Sequence, residues 1–308
     1  MKIHFSTQLK YALSQVAILG MLFTASFGAQ ASSTLNLANY QLTATYALPR
    51  LTAREASAIT YNWDTHTLFV LGDEGEALVE VSKTGQQLSV MSLSGFEDTE
   101  GLTYIGNGRF VITEERLRNA YQIDYNAGGT ADRSALPFAD LGSPVGNIGV
   151  EGITFDPRDG SFITVKEKTP QEINYHFIDF ANGTLTTASI FNPSLLGLID
   201  ISDVQVLSTG PFTPGSSTAN NLLILSQESS RLLEVDRNGS VLSAFDLSGF
   251  SSSAEGVTID TDGNIYIVDE NGTRPRLFVL TAVPIPPTFF LFGTGLMALI
   301  GMGRRKTR

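Results

Sequence analysis

Acidic residues recur at two fixed places in five similar segments of this 308-residue chain. Each segment contains two short runs of β-type residues joined by a tight turn. At the start of the first run, or two residues before it, stand Glu100, Glu151, Glu255, Glu55, Asp98 and Asp200. After the second run, one per segment, stand Glu74, Glu115, Glu167, Glu228 and Glu270. Ser57 and Ser202 replace the acid at the start of the first run in two segments.

Carboxylates brought together in this number repel one another and raise one another's pKa unless a cation lies among them. Oxygen ligands without Cys favour a hard ion, and Ca²⁺ is favoured over Mg²⁺ because it accepts six to eight oxygens in loose geometry. The predicted metal ligands are Glu100, Glu151, Glu255, Glu55 and Asp200, with the five acids after the second runs as an outer ring. The alternative is structural: salt bridges to Arg54, Arg116, Lys166 and Lys168, or hydrogen bonds from backbone N–H groups.

The elements that must position these acids are short strands in a repeat. The copies begin at Ser57, Glu100, Glu151, Ser202 and Glu255, so the period is 43 to 53 residues. One copy is typical of all: Leu102–Ile105, the turn Gly106-Asn107-Gly108, and the returning run Arg109–Thr113. Units of this length with about four strands are propeller blades, since one small sheet cannot bury its faces alone. The sequence predicts an all-β, five-bladed β-propeller, with six blades as the alternative.

Ring closure explains an unassigned β-type segment, residues 37–48. The last repeat lacks a fourth strand, and this segment would supply it. The first strand of each blade follows the central axis and the second returns antiparallel to it. The start of one and the end of the other therefore share a face, where up to eleven carboxylates would surround one mouth of a narrow channel.

Composition excludes several function classes. The segment 32–282 holds 14 basic and 31 acidic residues, a formal charge of −17, which repels nucleic acid and anionic lipid. There is no Cys, so disulfides and thiolate sites are excluded. His66 and His176 both fall away from the predicted mouth, which argues against a His-based nucleophile there. Residues 260–264 imitate the start of an EF-hand loop but are predicted to form a hairpin turn.

Both ends of the chain have the composition of targeting segments. Residues 1–31 have a basic start, an apolar stretch and a small-residue site ending at Ala31, as in a secretory signal. The predicted propeller domain is 32–282. Residues 283–308 combine prolines, a 16-residue apolar run and a basic end, and they resemble the PEP-CTERM sorting signal. Ile285 stands where that signal usually has Glu. The resemblance implies a Gram-negative exosortase-type processing partner; an ordinary C-terminal membrane anchor is the alternative.

The propeller segment also resembles a known family over nearly its whole length. The resemblance is carried by several short motifs in combination: residues 55–57, 108–116, 150–152, 166–170, 225–229, 254–257 and 263–268. On these residues the chain is similar to the SdiA-regulated (YjiK-like) family, itself similar to NHL-repeat propellers. The resemblance implies a five-bladed propeller with a bound Ca²⁺ and implies no reaction.

Three functions remain open from the sequence. The first is an exported Ca²⁺-binding propeller whose acidic mouth binds a small molecule or a surface partner. The second is a metal-dependent hydrolase of the lactonase or esterase kind, in which the ion polarises a carbonyl or activates water. The third is a structural component of an extracellular matrix, suggested by the sorting tail alone. All three place the protein at the cell surface, outside the cell, or on the inner membrane facing the periplasm.

Overall fold

The computed structural model describes residues 34–73, 76–271 and 274–283. Within these ranges the strands form five sheets arranged as propeller blades around a central axis. The predicted all-β class and the five-blade count are confirmed, and the described chain contains no sixth sheet. The predicted export signal, residues 284–308 of the sorting segment and Glu74 lie outside the described residues. None of the helices in the described ranges is long and apolar enough to cross a membrane.

Each blade is a sheet whose strands run from the axis outward. Blade 1 contains β2 (Ala56–Asn62), β3 (Thr67–Gly72), β4 (Ala77–Val81), β5 (Gln87–Ser94) and β9 (Thr130–Asp132). Blade 2 contains β6 (Thr99–Gly106), β7 (Arg109–Glu114), β8 (Asn119–Asp124) and β10 (Phe138–Asp140). Blade 3 contains β11 (Val150–Asp156), β12 (Ser161–Lys166), β13 (Glu172–Asp179) and β14 (Thr184–Ser189).

The last two blades follow the same plan. Blade 4 contains β15 (Asp203–Val206), β16 (Leu222–Ser226), β17 (Arg231–Val235) and β18 (Val241–Asp246). Blade 5 contains β19 (Ala254–Ile259), β20 (Ile265–Asp269), β21 (Arg276–Ala282) and β1 (Tyr40–Ala47). The helices of the described chain are single 3₁₀ turns at Leu37–Asn39, Arg133–Ala135, Pro193–Leu196, Leu207–Thr209 and Thr218–Asn220.

The hydrophobic core lies between neighbouring blades. The inner strand β2 is buried along its whole length, whereas the outer strand β14 is mostly exposed. Between blades 5 and 1, for example, Ile59 and Val70 belong to one apolar cluster with Tyr266 and Val268. Each sheet is thus covered on both faces near the axis, which is why the inner runs are apolar rather than alternating.

A belt of threonine hydroxyls joins the inner strands. The hydroxyl oxygen of Thr103 accepts the backbone N–H of Phe155 in the next blade at 3.0 Å, and Thr60, Thr154 and Thr258 accept equivalent bonds from Tyr104, Val206 and Tyr61. Blade 4 has Gln205 at this place, and its side chain bonds to Thr154 and Thr258. The recurring Thr of the repeat therefore couples each blade to its neighbour.

The ring closes as the sequence predicts. The strand β1 pairs antiparallel with β21, from Tyr40 opposite Ala282 to Ala47 opposite Arg276. The N-terminal part of the chain thus completes the last blade. One feature was not predicted: the three-residue strand β9 leaves blade 2 and pairs in parallel with β5, giving blade 1 a fifth strand.

Candidate metal centre

The acids at the starts of the inner strands sit on β-bulges. The pairing register shifts between Thr99 and Gly101, between Val150 and Gly152, and between Ala254 and Gly256. Each shift leaves one residue unpaired, namely Glu100, Glu151 and Glu255; Ser57 is the corresponding residue of blade 1. A bulge re-aims the side chain of the extra residue. All three glutamates face one cavity at the end of the channel.

A glycine follows each bulged glutamate because the neighbouring inner strand passes close by. A Cβ atom on Gly152 would lie 2.4 Å from Oδ1 of Asp203, and one on Gly256 would lie 2.9 Å from the Cα of Ala58. Only a residue without a side chain fits at this distance. In the Glu-Gly pair of the repeat, the glutamate is therefore the residue that the bulge turns toward the axis, and the glycine is the residue that allows the close approach between blades.

The acids after the second strands occupy equivalent backbone positions. The N–H of Glu115 donates to the carbonyl of Asp98 at 3.0 Å, and that of Glu270 donates to Ser253 at 3.0 Å. Glu167 makes the same bond to Gly149, and in blade 1 the residue is Asp73, which bonds to Glu55. In blade 4 the corresponding residue directly after Ser226 is Gln227. The register thus gives Asp73 and Gln227 the places that the sequence pattern assigned to Glu74 and Glu228.

The cavity has a volume of about 180 Å³ and is almost entirely polar. We call it the acidic mouth; its lining residues are Glu100, Glu115, Glu151, Glu167, Glu255, Glu270, Asn147, Ser202 and Gln227. Six of the ten predicted site residues therefore meet there. Asn147 and Gln227 were missed by the sequence pattern. Gln227 is adjacent to a predicted acid, whereas Asn147 lies in the β10–β11 connection, where no repeat signal exists.

Three other predicted acids lie outside the cavity lining. Asp200 is buried, and its carboxylate accepts the backbone N–H of Glu228 at 3.1 Å and the hydroxyls of Ser226 and Ser202. Through these hydrogen bonds the carboxylate of Asp200 stabilises the turn after β16, which is a structural role. Oε1 of Glu228 forms an ion pair with Nζ of Lys168 at 2.7 Å, and Oε1 of Glu55 lies 3.7 Å from Nη2 of Arg54. The structural alternative therefore describes these three residues.

Two groups of carboxylates come close enough to share a cation. The central cluster is Glu115, Glu151 and Glu167, whose nearest oxygens all lie within 4.8 Å of one another. The side cluster is Asp73, Asp98 and Glu100, with the same spacing between blades 1 and 2. Oxygen atoms at such distances can bind one hard cation together. The donor set of the central cluster thus fits Ca²⁺.

Burial and mutual repulsion make these carboxyls hard to ionise. Burial holds the pKa of Glu100 and of Glu151 well above the usual range, and for Glu151 the charge of Glu100 adds to that effect. Burial, followed by the charge of Glu270, raises the pKa of Glu255 to about 8. The pKa of Glu270 is raised as well, first by burial. A bound cation would favour the ionised forms and so relieve this repulsion.

The two histidines of the propeller lie elsewhere. His176 is buried in β13 between the hydroxyls of Thr164 and Thr187, and burial lowers its pKa to about 4. His66 is in the β2–β3 turn, where its ring meets the hydroxyl of Tyr61 at 2.7 Å. Neither lines the acidic mouth. The chemistry available at the mouth is accordingly that of carboxylates, amides and one hydroxyl.

Comparison with known proteins gives a family and a fold. The family model described as SdiA-regulated matches residues 32–281. Among solved structures, glutaminyl cyclase of Myxococcus xanthus is 13% identical with a TM-score of 0.53, and the match covers 79% of this chain and 95% of that one. A luciferin-regenerating enzyme is 8% identical with a TM-score of 0.50, covering 78% and 96% of the two chains. Likeness at these identities shows the fold alone.

Proposed function

The chain belongs to the SdiA-regulated family, and we propose that it is an exported propeller that binds Ca²⁺ at the acidic mouth. The single observation that carries this proposal is the central cluster. Three carboxylates from two blades bring oxygens within 4.8 Å of one another, in a cavity large enough for an ion and its water ligands. In this proposal Glu115, Glu151 and Glu167 hold the ion, and Mg²⁺ is the weaker competitor.

The ion would have a structural and a binding role. The three ligands belong to blades 2 and 3, so a cation joins those blades at the axis in addition to the threonine belt. Blade 4, next to blade 3, contributes the neutral side chains of Ser202 and Gln227 to the mouth. A small molecule or a surface partner could therefore reach the ion from that side and meet hydrogen-bonding groups. We propose this recognition role in place of a reaction.

Calorimetry with the metal alone tests the proposal. We expect the full chain to bind Ca²⁺ more tightly than Mg²⁺ and to melt at a higher temperature when Ca²⁺ is present. The linkage amounts to about 2.7 kcal/mol at a hundredfold excess of free ion over the dissociation constant. If neither ion binds, the acids are structural and the proposal fails.

A metal-dependent hydrolase is the second candidate, favoured by one observation. Glu255 lines the same cavity, and its raised pKa of about 8 gives it the proton affinity of a general base. A turnover screen on lactones and esters, with and without Ca²⁺, decides between the two. Ca²⁺-dependent turnover that Glu255→Gln abolishes would establish the hydrolase; binding of Ca²⁺ without turnover supports the recognition role.

The cellular placement is a further part of the proposal. We propose that residues 1–31 direct export and that residues 283–308 act as a PEP-CTERM-type signal for an exosortase-type partner. Cell fractionation of the full chain and of a chain ending at Val283 tests it: only the full chain should remain with the envelope. Retention of the shortened chain in a polymeric extracellular fraction would favour the matrix component instead.

A further inference from the structure

We propose that the mouth region binds two divalent cations, the second of them in the side cluster of Asp73, Asp98 and Glu100. This inference rests on the proposed function, because the first cation is the one in the central cluster. The three side-cluster residues come from blades 1 and 2: Asp73 follows β3, and Asp98 and Glu100 stand at the start of β6. Their nearest oxygens lie within 4.8 Å of one another.

The side cluster is separate from the cavity that holds the central cluster. Only Glu100 belongs to the cavity lining, whereas Asp73 and Asp98 lie beside it. One cation in the central cluster therefore cannot be coordinated by all six carboxylates. Glu100 is the residue placed to contact both ions, since it belongs to the side cluster and also lines the acidic mouth.

An independent observation points to a missing ligand at Asp98. Its side chain is 5% exposed, yet its Oδ2 atom accepts no hydrogen bond within the described structure. The Nε atom of Arg116 lies 2.8 Å away, but Arg116 donates its Nε–H and an Nη2–H to Oδ1 of Asn147, at 3.3 and 3.1 Å. Asp98 Oδ2 is thus in an ion pair with Arg116 but accepts no hydrogen bond, although it is buried.

A buried acceptor without a donor is destabilising, and such atoms usually have a water or an ion as partner. Because Asp98 lies in a cluster with two further carboxylates, a cation is the partner that lowers the energy of all three. One Ca²⁺ brings two positive charges to the six carboxylates of the two clusters, and a second Ca²⁺ raises the total to four. The class of ligand is therefore a hard divalent cation with oxygen preference.

Counting bound ions on the full chain tests the inference, with Ca²⁺ alone as the probe. Equilibrium dialysis followed by elemental analysis should give two Ca²⁺ per wild-type chain. Asp98→Asn should give one, since Asp98 is not a member of the central cluster, and Glu167→Gln should also give one by removing the other site. Glu228→Gln is the matched control, because Glu228 lies outside both clusters, and it should keep two.

Circular dichroism and melting of each variant identify any that do not fold. Asp73→Asn replaces Asp98→Asn if the latter is unfolded, and it should likewise give one ion. One Ca²⁺ per wild-type chain, unchanged in Asp98→Asn and Asp73→Asn but lost in Glu167→Gln, would overturn the second site and leave the proposed function standing. A wild-type chain that binds no Ca²⁺ would overturn both.

Discussion

At the scale of single residues, Glu151 shows why the mouth needs a cation. The bulge at the start of β11 turns it into the cavity, where it meets Glu115 and Glu167 within 4.8 Å. Burial and the neighbouring charge of Glu100 raise its pKa. The ionised side chain therefore destabilises the cation-free propeller and stabilises the cation-bound one.

Glu151→Gln should consequently act in opposite directions on two measurements. It should raise the melting temperature of the Ca²⁺-free chain, because Gln keeps the volume and removes a buried charge. It should also weaken Ca²⁺ binding by at least about tenfold, or ~1.4 kcal/mol, through loss of a ligand. Glu228→Gln is the control, since Glu228 is exposed and paired with Lys168. Equal losses of affinity in both variants would mean a diffuse field in place of coordination.

The raised pKa values also predict how stability depends on pH. A carboxyl with a folded pKa above its unfolded value of about 4.3 binds its proton more tightly when folded, so it favours folding at low pH. That stability is lost as the pH rises toward the folded value, about 8 for Glu255. The Ca²⁺-free chain should therefore melt at lower temperature at pH 8 than at pH 5. Saturating Ca²⁺ should reduce this difference, and Glu255→Gln should reduce it without Ca²⁺. A melting temperature independent of pH would mean that these carboxyls do not titrate between folded and unfolded states as expected.

The sequence reveals some of these residues and not others, for physical reasons. Glu100, Glu151 and Glu255 could be found because each precedes a glycine that the neighbouring strand requires. Gln227 was missed in favour of Glu228 because a pattern of residue types fixes the end of a strand only within a residue or two. The role of Asp200 depends on donors from Ser226 and Glu228, which come together only in the folded turn.

At the scale of elements, the site depends on a bulge and on the close contact beside it. The inner strand β11 passes the start of β15 so closely that Gly152 faces Asp203. The side chain of Asp203 reaches the next blade, where its Oδ2 accepts a hydrogen bond from the backbone N–H of Val257 at 2.7 Å. The positions of the bulged glutamates therefore depend on the packing of neighbouring inner strands.

Gly152→Ala should destabilise the propeller by about 1–3 kcal/mol, the usual cost of overpacking, because its Cβ would lie 2.4 Å from Oδ1 of Asp203. Thermal melting of the full chain measures the effect. Gly249→Ala is the matched control, since a Cβ there meets nothing within 4 Å. If both variants melt alike, the close approach does not restrict the bulge.

Most elements follow from local sequence, and one does not. The turn after β6 has Asn107 and Gly108 at φ values of 56° and 72°, as its residue types predict. The added strand β9 has only three residues and pairs with a blade to which its own repeat does not belong. No local pattern marks such a strand, because its pairing is decided by the path of the surrounding chain.

At the scale of the whole molecule, stability depends on the joint between the two ends of the chain. The five-blade count and the closure by residues 37–48 were predictable, because a repeat with one strand missing leaves one segment to supply it. Tyr40 adds a further contact by donating its hydroxyl to the carbonyl of Gly263 at 2.9 Å. The joint therefore contains side-chain bonds that the repeat pattern does not specify.

Deleting residues 37–48 should destabilise all five blades together. The loss of the β1–β21 ladder leaves blade 5 with three strands and opens the ring. We expect the melting temperature to fall by on the order of 10 °C. At about 2–4 °C per kcal/mol in a domain of this size, that corresponds to a loss of about 2.5–5 kcal/mol in the free energy of unfolding. The transition should remain single. An unchanged melting temperature would show that the ring closes without this strand.

The β1–β21 pairing also determines the direction of the acidic mouth when the protein is attached through its C-terminal side. Ala254, Asp269, Arg276 and Ala47 are aligned at the mouth end of blade 5, whereas Tyr40 and Ala282 lie at its far end. The N–H of Val283 donates to the carbonyl of Asn39 there, at 2.7 Å. The described chain thus enters and leaves on the side away from the carboxylates. A tether attached after Val283, whether a lipid bilayer or a sensor chip, would leave the mouth pointing outward to the surrounding solution.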